Sequence, residues 1–182
     1  VIMPLGEIEL IEGSDDSKKL KPEDRERLAA LIRERAIAYK ICEESSETID
    51  RINILEATRL CMKRAVEGLA VQPDVVFTDG NFRLQIDLPQ QNIVRGDALS
   101  YTIGAASILA KVYRDALMCE YDKLYPQYGF AVHKGYGTKR HTDAIREYGL
   151  CEIHRRTFTK KFWERAESTG EQNTLNPSGT KF

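Results

Sequence analysis

Two short runs of apolar and β-branched residues, "DVVFTDG" and "QNIVRGD", constrain the fold most strongly, because each one ends in a glycine and an aspartate. Runs of this kind, bounded by turn residues, are typical of buried β-strands. Segments with apolar residues at helical spacing lie on both sides of them, at residues 20–40, 53–69 and 98–125. Strands that alternate with helices predict an α/β fold.

The rest of the chain carries weaker patterns. "VIMPL" and "AIAYKICEES" predict short strands, and "SSETIDRI" predicts a small helix of its own. A glycine- and tyrosine-rich loop, "YGFAVHKGYGTKRH", leads into a predicted helix near 138–148, and residues 158–166 predict another. We therefore expect residues 1–166 to form one domain and the polar tail, residues 167–182, to be disordered.

Composition and charge exclude several classes of protein. No apolar run approaches membrane-spanning length, and the four cysteines are scattered singly, which argues against zinc or redox motifs and indicates a reducing, cytoplasmic location. The formal net charge is -1, but residues 133–165 hold 9 Lys or Arg against 4 Asp or Glu. Such a basic segment can bind phosphates, although a solvated helix surface is the commoner explanation.

Asp79 and Asp97 are the candidate catalytic and metal-binding residues, since each lies beside a glycine at the end of a predicted strand. Two neighbouring strands that end in this way bring both carboxylates to one edge of a sheet. Paired carboxylates suit Mg²⁺ or Mn²⁺, and two such ions can promote phosphodiester cleavage. The alternative is that both aspartates only shape Gly-Asp turns. Asp115 competes for the second role, but it follows Lys111 by four residues, the spacing of a helical ion pair.

Basic and aromatic residues in two loops are candidates for substrate binding. Lys18 and Lys19 follow a serine just before a helix, where they can hold a phosphate or form a solvated pair. Lys134 and Tyr136 alternate with glycines, so the backbone can approach a nucleic acid and the ring can stack on a sugar or base. The alternative for Tyr136 is a half-buried ring in an ordinary glycine turn.

Three histidines, His133, His141 and His154, do not have the spacing of metal ligands. Each is therefore expected to lie at the surface or to form hydrogen bonds. No metal site is predicted from them.

Six blocks of the chain, taken in order, resemble the type 2 ribonucleases H, the bacterial ribonuclease HII enzymes. They are "DSKKL", "INILEAT", "DGN", "RGDALSYTIGAASILAKVYRD", "YGFAVHKGYGTKRH" and "IHRRTF", and they cover roughly residues 14–160. The resemblance implies an α/β, ribonuclease H-like fold in which a mixed sheet is flanked by helices, with a C-terminal helical part.

The resemblance also implies an activity and its cofactors. The family cleaves the RNA strand of RNA–DNA hybrids and incises at ribonucleotides embedded in duplex DNA, which serves ribonucleotide excision repair. It leaves 5′-phosphate and 3′-hydroxyl ends, uses Mn²⁺ or Mg²⁺, and is usually monomeric. Asp79 matches the third of four acidic metal ligands, and Asp97 matches the fourth.

The substrate contacts are implied in the same way. Tyr136 matches the tyrosine that stacks at the RNA–DNA junction and touches the ribose. A contact of this kind makes chemical sense, because the 2′-hydroxyl is the group that separates RNA from DNA. Five further residues lie in blocks that the family places near the substrate, namely Lys18, Lys19, Ser107, Lys111 and Lys134.

The chain departs from the family pattern at its start. It contains no Asp-Glu-x-Gly-Arg-Gly motif and begins inside the strand that follows this motif in the family. We therefore expect that the first strand and the first two carboxylate ligands are absent through an N-terminal truncation, and that the chain as given is inactive or nearly so.

Two other functions are alternatives to the nuclease. One is a non-catalytic remnant that binds RNA–DNA duplex, but such a binder has no need to keep Asp79 and Asp97 beside a phosphate backbone. The other is a phosphohydrolase of small substrates, which the ordered blocks disfavour.

Overall fold

The computed structural model describes residues 1–4 and 20–160. These residues divide into two compact units, the first made of residues 1–4, 20–43 and 55–113 and the second of residues 44–54 and 114–160. The predicted tail at 167–182 lies outside the described residues. In chain order the elements are α1 (Pro22–Arg35), α2 (Ser46–Glu67), β1 (Val76–Asp79), β2 (Gln90–Ile93), α3 (Gly96–Leu99), α4 (Tyr101–Leu124), α5 (Phe130–His133) and α6 (Lys139–Tyr148).

Helix α1 begins where the sequence predicts it, which confirms that helix. Pro22 lies in the first turn, where a backbone N–H would have no partner within the helix, so its absence costs nothing. Arg33 and Arg35 lie in the last turn, where their positive charges interact favourably with the helix dipole. The helix ends at Arg35, earlier than predicted. Its apolar face contributes to the core of the first unit, which consists of Leu28, Ala29, Ile32, Ala105, Ile108 and Leu109.

Strands β1 and β2 pair in parallel, with Asp79 opposite Ile93, so both predicted strands are confirmed. The ladder extends one residue beyond β1, where the Gly80 N–H donates to the Ile93 carbonyl at 3.1 Å. The Asn92 side-chain amide donates to the Thr78 hydroxyl at 3.0 Å and also to the Phe82 carbonyl. These bonds tie the connection between the strands to β2.

The two short strands predicted at residues 1–5 and 36–45 are present in the described residues only as a short paired stretch. They meet at an antiparallel bridge between Ile2 and Ala38, where the Ile2 N–H donates to the Ala38 carbonyl at 2.8 Å and the Ile37 N–H donates to the Ile2 carbonyl at 2.9 Å. A strand is stable only where its backbone groups find a partner along its length.

The small helix predicted at residues 45–52 is confirmed as a helical segment of its own within α2. The helical run is interrupted at Asn53, whose φ of 66° and ψ of 166° are not helical. A positive φ is uncommon for residues other than glycine, and asparagine is among those that adopt it most often.

The second unit is built around aromatic residues of the loop before α6. Its core consists of Tyr128, Phe130, Ala144 and Ile145. Thr138 caps α6 by accepting a hydrogen bond from the His141 N–H, and Gly149 follows the helix with a φ of 78°, so the helix predicted near 138–148 is confirmed. Residues 156–160 are also helical. No helix in the described part of the chain is long and apolar enough to cross a membrane.

Candidate active site

The two candidate carboxylates lie at the ends of the paired strands. Asp79 is the last residue of β1, and Asp97 follows β2 in the first turn of α3. Between them Arg95 adopts a left-handed conformation, with φ 59° and ψ 38°, which turns the chain out of the strand. The backbone N–H of Gly96 then donates to Oδ1 of Asp79 at 2.8 Å. The carboxylate of Asp79 is therefore oriented by the residue that precedes Asp97.

Gly96 packs closely against the side chain of Ile103. A Cβ at this position would lie 2.5 Å from Cδ1 of Ile103 and 3.5 Å from Cα of Asp79. Real Cβ atoms do not come within 3 Å of a neighbouring heavy atom, so a larger residue would force the end of the Ile103 side chain to move, whereas its contact with Cα of Asp79 would be ordinary. The "RGD" sequence thus supplies the turn residue, the close approach and the second carboxylate in consecutive positions.

The chemistry of this donor set fits a hard divalent cation, since both groups are carboxylates. A carboxylate can accept about four hydrogen bonds or ligand contacts, so the bond from Gly96 leaves Asp79 with capacity for an ion. The number of donors is small, however. In residues 1–4 and 20–160, no group of three or more His, Cys, Asp or Glu residues is arranged to hold a metal. Asp79 and Asp97 are therefore of the right chemical type to bind such an ion, but they supply only part of its ligands.

Ser107 and Lys111 lie one turn apart on α4, so they share one face of that helix. Both side chains are partly buried. The helix begins after Ser100, whose carbonyl accepts a hydrogen bond from the Gly104 N–H at 2.8 Å. A substrate contact of either residue stays a prediction.

The Tyr136 loop, residues 134–138, belongs to the second unit. Lys134 and Gly135 both have positive φ angles, 51° and 82°. The loop is closed by backbone hydrogen bonds, from Lys134 to Phe130 and from Tyr136 to His133, both at 2.8 Å. The ring of Tyr136 is 67% exposed, so the half-buried ring considered above is wrong.

The side chain of Lys134 turns toward α4. Its Nζ donates to Sγ of Cys119 at 2.9 Å and to the Asp115 carbonyl at 3.3 Å. These contacts anchor the start of the Tyr136 loop, while a phosphate contact of Lys134 remains a prediction. Lys18 and Lys19 lie outside the described residues.

The three histidines form a buried cluster beneath this loop, which the sequence reasoning missed. His133 and His141 are each 7% exposed and His154 is 8% exposed, so the expectation of a surface position is wrong and that of hydrogen bonding is confirmed. Because burial removes the water that would otherwise bond to the ring nitrogens, these nitrogens need hydrogen-bond partners in the protein. One signal was available in the sequence, because His141, Ala144 and Ile145 share the buried face of α6.

Burial also disfavours a charge on two of these rings, those of His141 and His154. It lowers the pKa of His154 to about 4, and the neighbouring His141 ring lowers it as well. Burial lowers the pKa of His141 too. In the same region, burial raises the pKa of the Cys151 thiol, so this group keeps its proton.

Asp50 is a second residue that sequence reasoning missed. Its carboxylate accepts hydrogen bonds from the backbone N–H groups of Arg156 at 2.7 Å and Thr157 at 2.9 Å, and from the Thr157 hydroxyl. It thereby caps the helical residues 156–160 from a distant part of the chain. Burial alone would raise the pKa of Asp50, but these bonds and the nearby Arg155 guanidinium outweigh it and lower the pKa.

Sequence comparison identifies relatives over most of the chain. Residues 8–166 match the family model described as "Ribonuclease HII". The chain is 53% identical over 149 residues to ribonuclease HII 1 of Methylibium petroleiphilum, and this alignment covers 82% of the chain and 75% of that protein. It is also 53% identical over 146 residues to a ribonuclease HII of Desulfitobacterium hafniense, of which it spans 56%.

Solved structures show the same fold. Ribonuclease H2 from Pyrococcus horikoshii superimposes with a TM-score of 0.71 at 23% identity, over 90% of this chain and 83% of that one. RNase HII from Archaeoglobus fulgidus, solved as a complex with PCNA, superimposes with a TM-score of 0.62 at 20% identity. The α/β, ribonuclease H-like fold class is thereby confirmed. On the sequence matches, the chain belongs to the ribonuclease HII family of metal-dependent endonucleases.

Proposed function

We propose that the protein cleaves the RNA strand of RNA–DNA hybrids and incises duplex DNA at embedded ribonucleotides, leaving 5′-phosphate and 3′-hydroxyl ends. The observation that carries this proposal is the bond between Gly96 and Asp79, because it orients one carboxylate beside the turn that bears the other. Membership of the ribonuclease HII family supplies the reaction class.

In this proposal Asp79 and Asp97 hold divalent cations, Mn²⁺ or Mg²⁺. When bound, such ions supply a polarised water and neutralise charge at the phosphodiester. The Gly96 N–H keeps the Asp79 carboxylate fixed, and the fixed φ of Arg95 keeps the turn that carries Asp97. This orientation comes from the protein backbone, so little reorganisation is needed when an ion binds.

The 182 residues by themselves are expected to be inactive or nearly so. Two carboxylates bind a divalent ion weakly, whereas tight sites combine more anionic oxygens. Titration calorimetry with Mn²⁺ should therefore show weak binding to the parent chain and a weaker dissociation constant still for Asp79→Asn. Equal constants would contradict this statement.

Substrate recognition is assigned to the two loops and to α4. The exposed ring of Tyr136 is available to contact the ribose and its 2′-hydroxyl, which distinguishes RNA from DNA. We propose phosphate contacts for Lys18, Lys19, Ser107, Lys111 and Lys134. Arg140, Arg156 and Lys160 are exposed in the basic segment and add positive charge for a duplex backbone.

The cellular setting follows from the same proposal. A monomer that incises at ribonucleotides would act in ribonucleotide excision repair in the cytoplasm. The four cysteines are all free thiols, which agrees with a reducing compartment.

A panel of three substrates tests the proposed function. The natural full-length protein is incubated with Mn²⁺ or Mg²⁺ and a DNA duplex that contains one ribonucleotide, an RNA–DNA hybrid, or an all-DNA duplex of the same sequence. We expect cleavage of the first two, with ligatable 3′-hydroxyl and 5′-phosphate ends, and none of the third. Tight binding of the hybrid without cleavage would instead support the non-catalytic duplex binder.

A further inference from the structure

The hydrogen bonds of the buried histidine cluster assign a proton to each ring. A backbone N–H can only donate and a backbone carbonyl can only accept. The Cys151 N–H donates to Nδ1 of His154 at 2.9 Å, so His154 carries its proton on Nε2. That Nε2–H faces Nε2 of His141 at 3.1 Å, which must therefore be the acceptor.

The remaining proton of His141 lies on Nδ1 and points at the loop. Nδ1 of His141 is 3.0 Å from the Tyr136 carbonyl, to which it donates. The chain of bonds thus runs in one direction, from the Cys151 N–H through His154 and His141 to the backbone of Tyr136. Reversing any ring proton would set two donors or two acceptors against each other.

His133 holds the preceding residue of the loop. Its Nε2–H donates to the Tyr128 carbonyl at 2.8 Å, and its Nδ1 accepts from the Gly135 N–H at 3.2 Å. The rings of His133 and His141 are stacked, with centroids 4.3 Å apart and planes inclined by 14°. Two neighbouring backbone groups, one on Gly135 and one on Tyr136, are therefore held from below by a single pair of stacked rings.

This arrangement fixes the backbone of the loop and leaves the side chain of Tyr136 exposed. The loop needs such support, because Lys134 adopts the left-handed conformation that residues with a side chain rarely take. An exposed ring is useful for recognition only when its backbone is fixed, since misplacement by about 1 Å can cost a large part of the rate.

We propose that His141, oriented by His154 and stacked on His133, is a positioning residue that sets the exposed Tyr136 ring against the nucleic acid. This inference rests on the proposed function, because it gives Tyr136 a substrate contact. His141 itself touches no reacting atom and acts through the carbonyl of Tyr136.

The first test reads the protons directly. Nitrogen-15 NMR of the ring nitrogens of labelled histidine, in the natural full-length protein at neutral pH, distinguishes the two neutral forms of each ring. We expect Nδ1–H for His141 and Nε2–H for His133 and His154. A charged ring, or Nε2–H on His141, would overturn the proposal.

The second test measures the coupling between His141 and Tyr136 with the single-ribonucleotide duplex. His141→Leu removes the donor to the Tyr136 carbonyl, and we expect kcat/KM to fall about tenfold. His141→Asn keeps an N–H near the Nδ1 position and should restore most of this loss. In a Tyr136→Ala background the leucine substitution should change kcat/KM by less than about twofold, because its effect passes through Tyr136.

The outcomes separate this inference from the proposed function. If the parent protein cleaves the duplex and the two substitutions are additive, the positioning role is wrong and the proposed function stands. If the parent cleaves none of the ribonucleotide substrates, the proposed function is wrong and the positioning role falls with it. Should His141→Leu fail to fold, the pair His154→Gln and His154→Leu gives the same comparison one bond away, since only glutamine keeps a donor toward His141.

Discussion

The backbone N–H of Gly96 donates to Oδ1 of Asp79 across 2.8 Å, and this bond joins the end of β1 to the turn that carries Asp97. Parallel pairing of β1 with β2 brings the two segments together, and the left-handed Arg95 turns the second segment back toward the first. The bond therefore holds the Asp79 carboxylate beside the turn that carries Asp97.

Replacement of Gly96 by alanine should reduce both stability and activity. The new Cβ would meet Cδ1 of Ile103 at 2.5 Å, and overpacking of this kind costs about 1–3 kcal/mol of unfolding free energy. Ile103→Val removes that methyl group, so the double variant should recover much of the loss. Urea denaturation of the two single variants and the double variant measures the coupling, and simple additivity would contradict the packing explanation.

Two glycines of the Tyr136 loop should respond differently to alanine. Gly135 has a φ of 82°, where a Cβ is strained, whereas a Cβ on Gly137 would have no heavy atom within 4 Å. We expect Gly135→Ala to lower the unfolding free energy by about 1 kcal/mol and Gly137→Ala to change it by less than about 0.5 kcal/mol. Equal losses, measured by chemical denaturation, would show that backbone conformation does not limit this loop.

Acid should destabilise the second unit through His154. The unfolded chain takes up a proton at this residue below about pH 6.5, but the folded chain does so only below about pH 4. Between these values the unfolded state binds more protons, so the unfolding free energy falls as the pH falls, by on the order of 3 kcal/mol in total. His154 faces the rings of His141 and His133 and the Cys151 thiol, none of which supplies a compensating negative charge.

Urea denaturation at pH 7.5 and pH 5 measures this effect in the parent and in His154→Gln. The variant has no titrating group at this position, so its stability should vary less with pH than that of the parent. Identical pH dependence in the two proteins would mean that His154 is not the group responsible.

Loss of the Asp50 carboxylate should release the helix at residues 156–160. Asp50→Ala leaves the backbone N–H groups of Arg156 and Thr157 without their acceptor, and the loss of a helix cap costs about 1 kcal/mol. The folded pKa of Asp50 is lowered, so its contribution is present above the pKa of the unfolded group and is lost as the pH falls through the folded value. Amide hydrogen exchange at Arg156 and Thr157 should accelerate in the variant at pH 7, and unchanged exchange would contradict the capping role.

Local patterns predicted the elements whose stability is mostly local. Helix α1 follows from Pro22 and its charged termini, and α6 follows from Thr138 and Gly149. The pairing of β1 and β2 was also foreseeable, because both strands end in a glycine and an aspartate that suit one edge of a sheet. The extent of the short strands predicted at residues 1–5 and 36–45 was not foreseeable, because the pairing of the first segment depends on its contact with Ala38.

Long-range partners explain what the sequence could not reveal about the candidate site. The contact of Asp50 with Arg156 joins residues separated by 106 positions. His154 approaches His141 only after the loop between residues 149 and 154 has folded back. No local pattern encodes either contact, and the glycines that flank Tyr136 predicted a turn without deciding whether its side chain is exposed.

The most direct measurement is the cleavage rate of a duplex containing one ribonucleotide, in Mn²⁺, by the natural full-length protein and by Asp79→Asn, Asp97→Asn and Asp87→Asn. Asp87 is an exposed carboxylate in the connection between β1 and β2 and serves as the matched control. We expect each of the first two variants to lose activity by about 100-fold or more, because loss of a direct ligand should exceed the loss caused by an indirect one. Asp87→Asn should cleave at the parent rate. Cleavage by Asp79→Asn at the parent rate would contradict the assignment of this site.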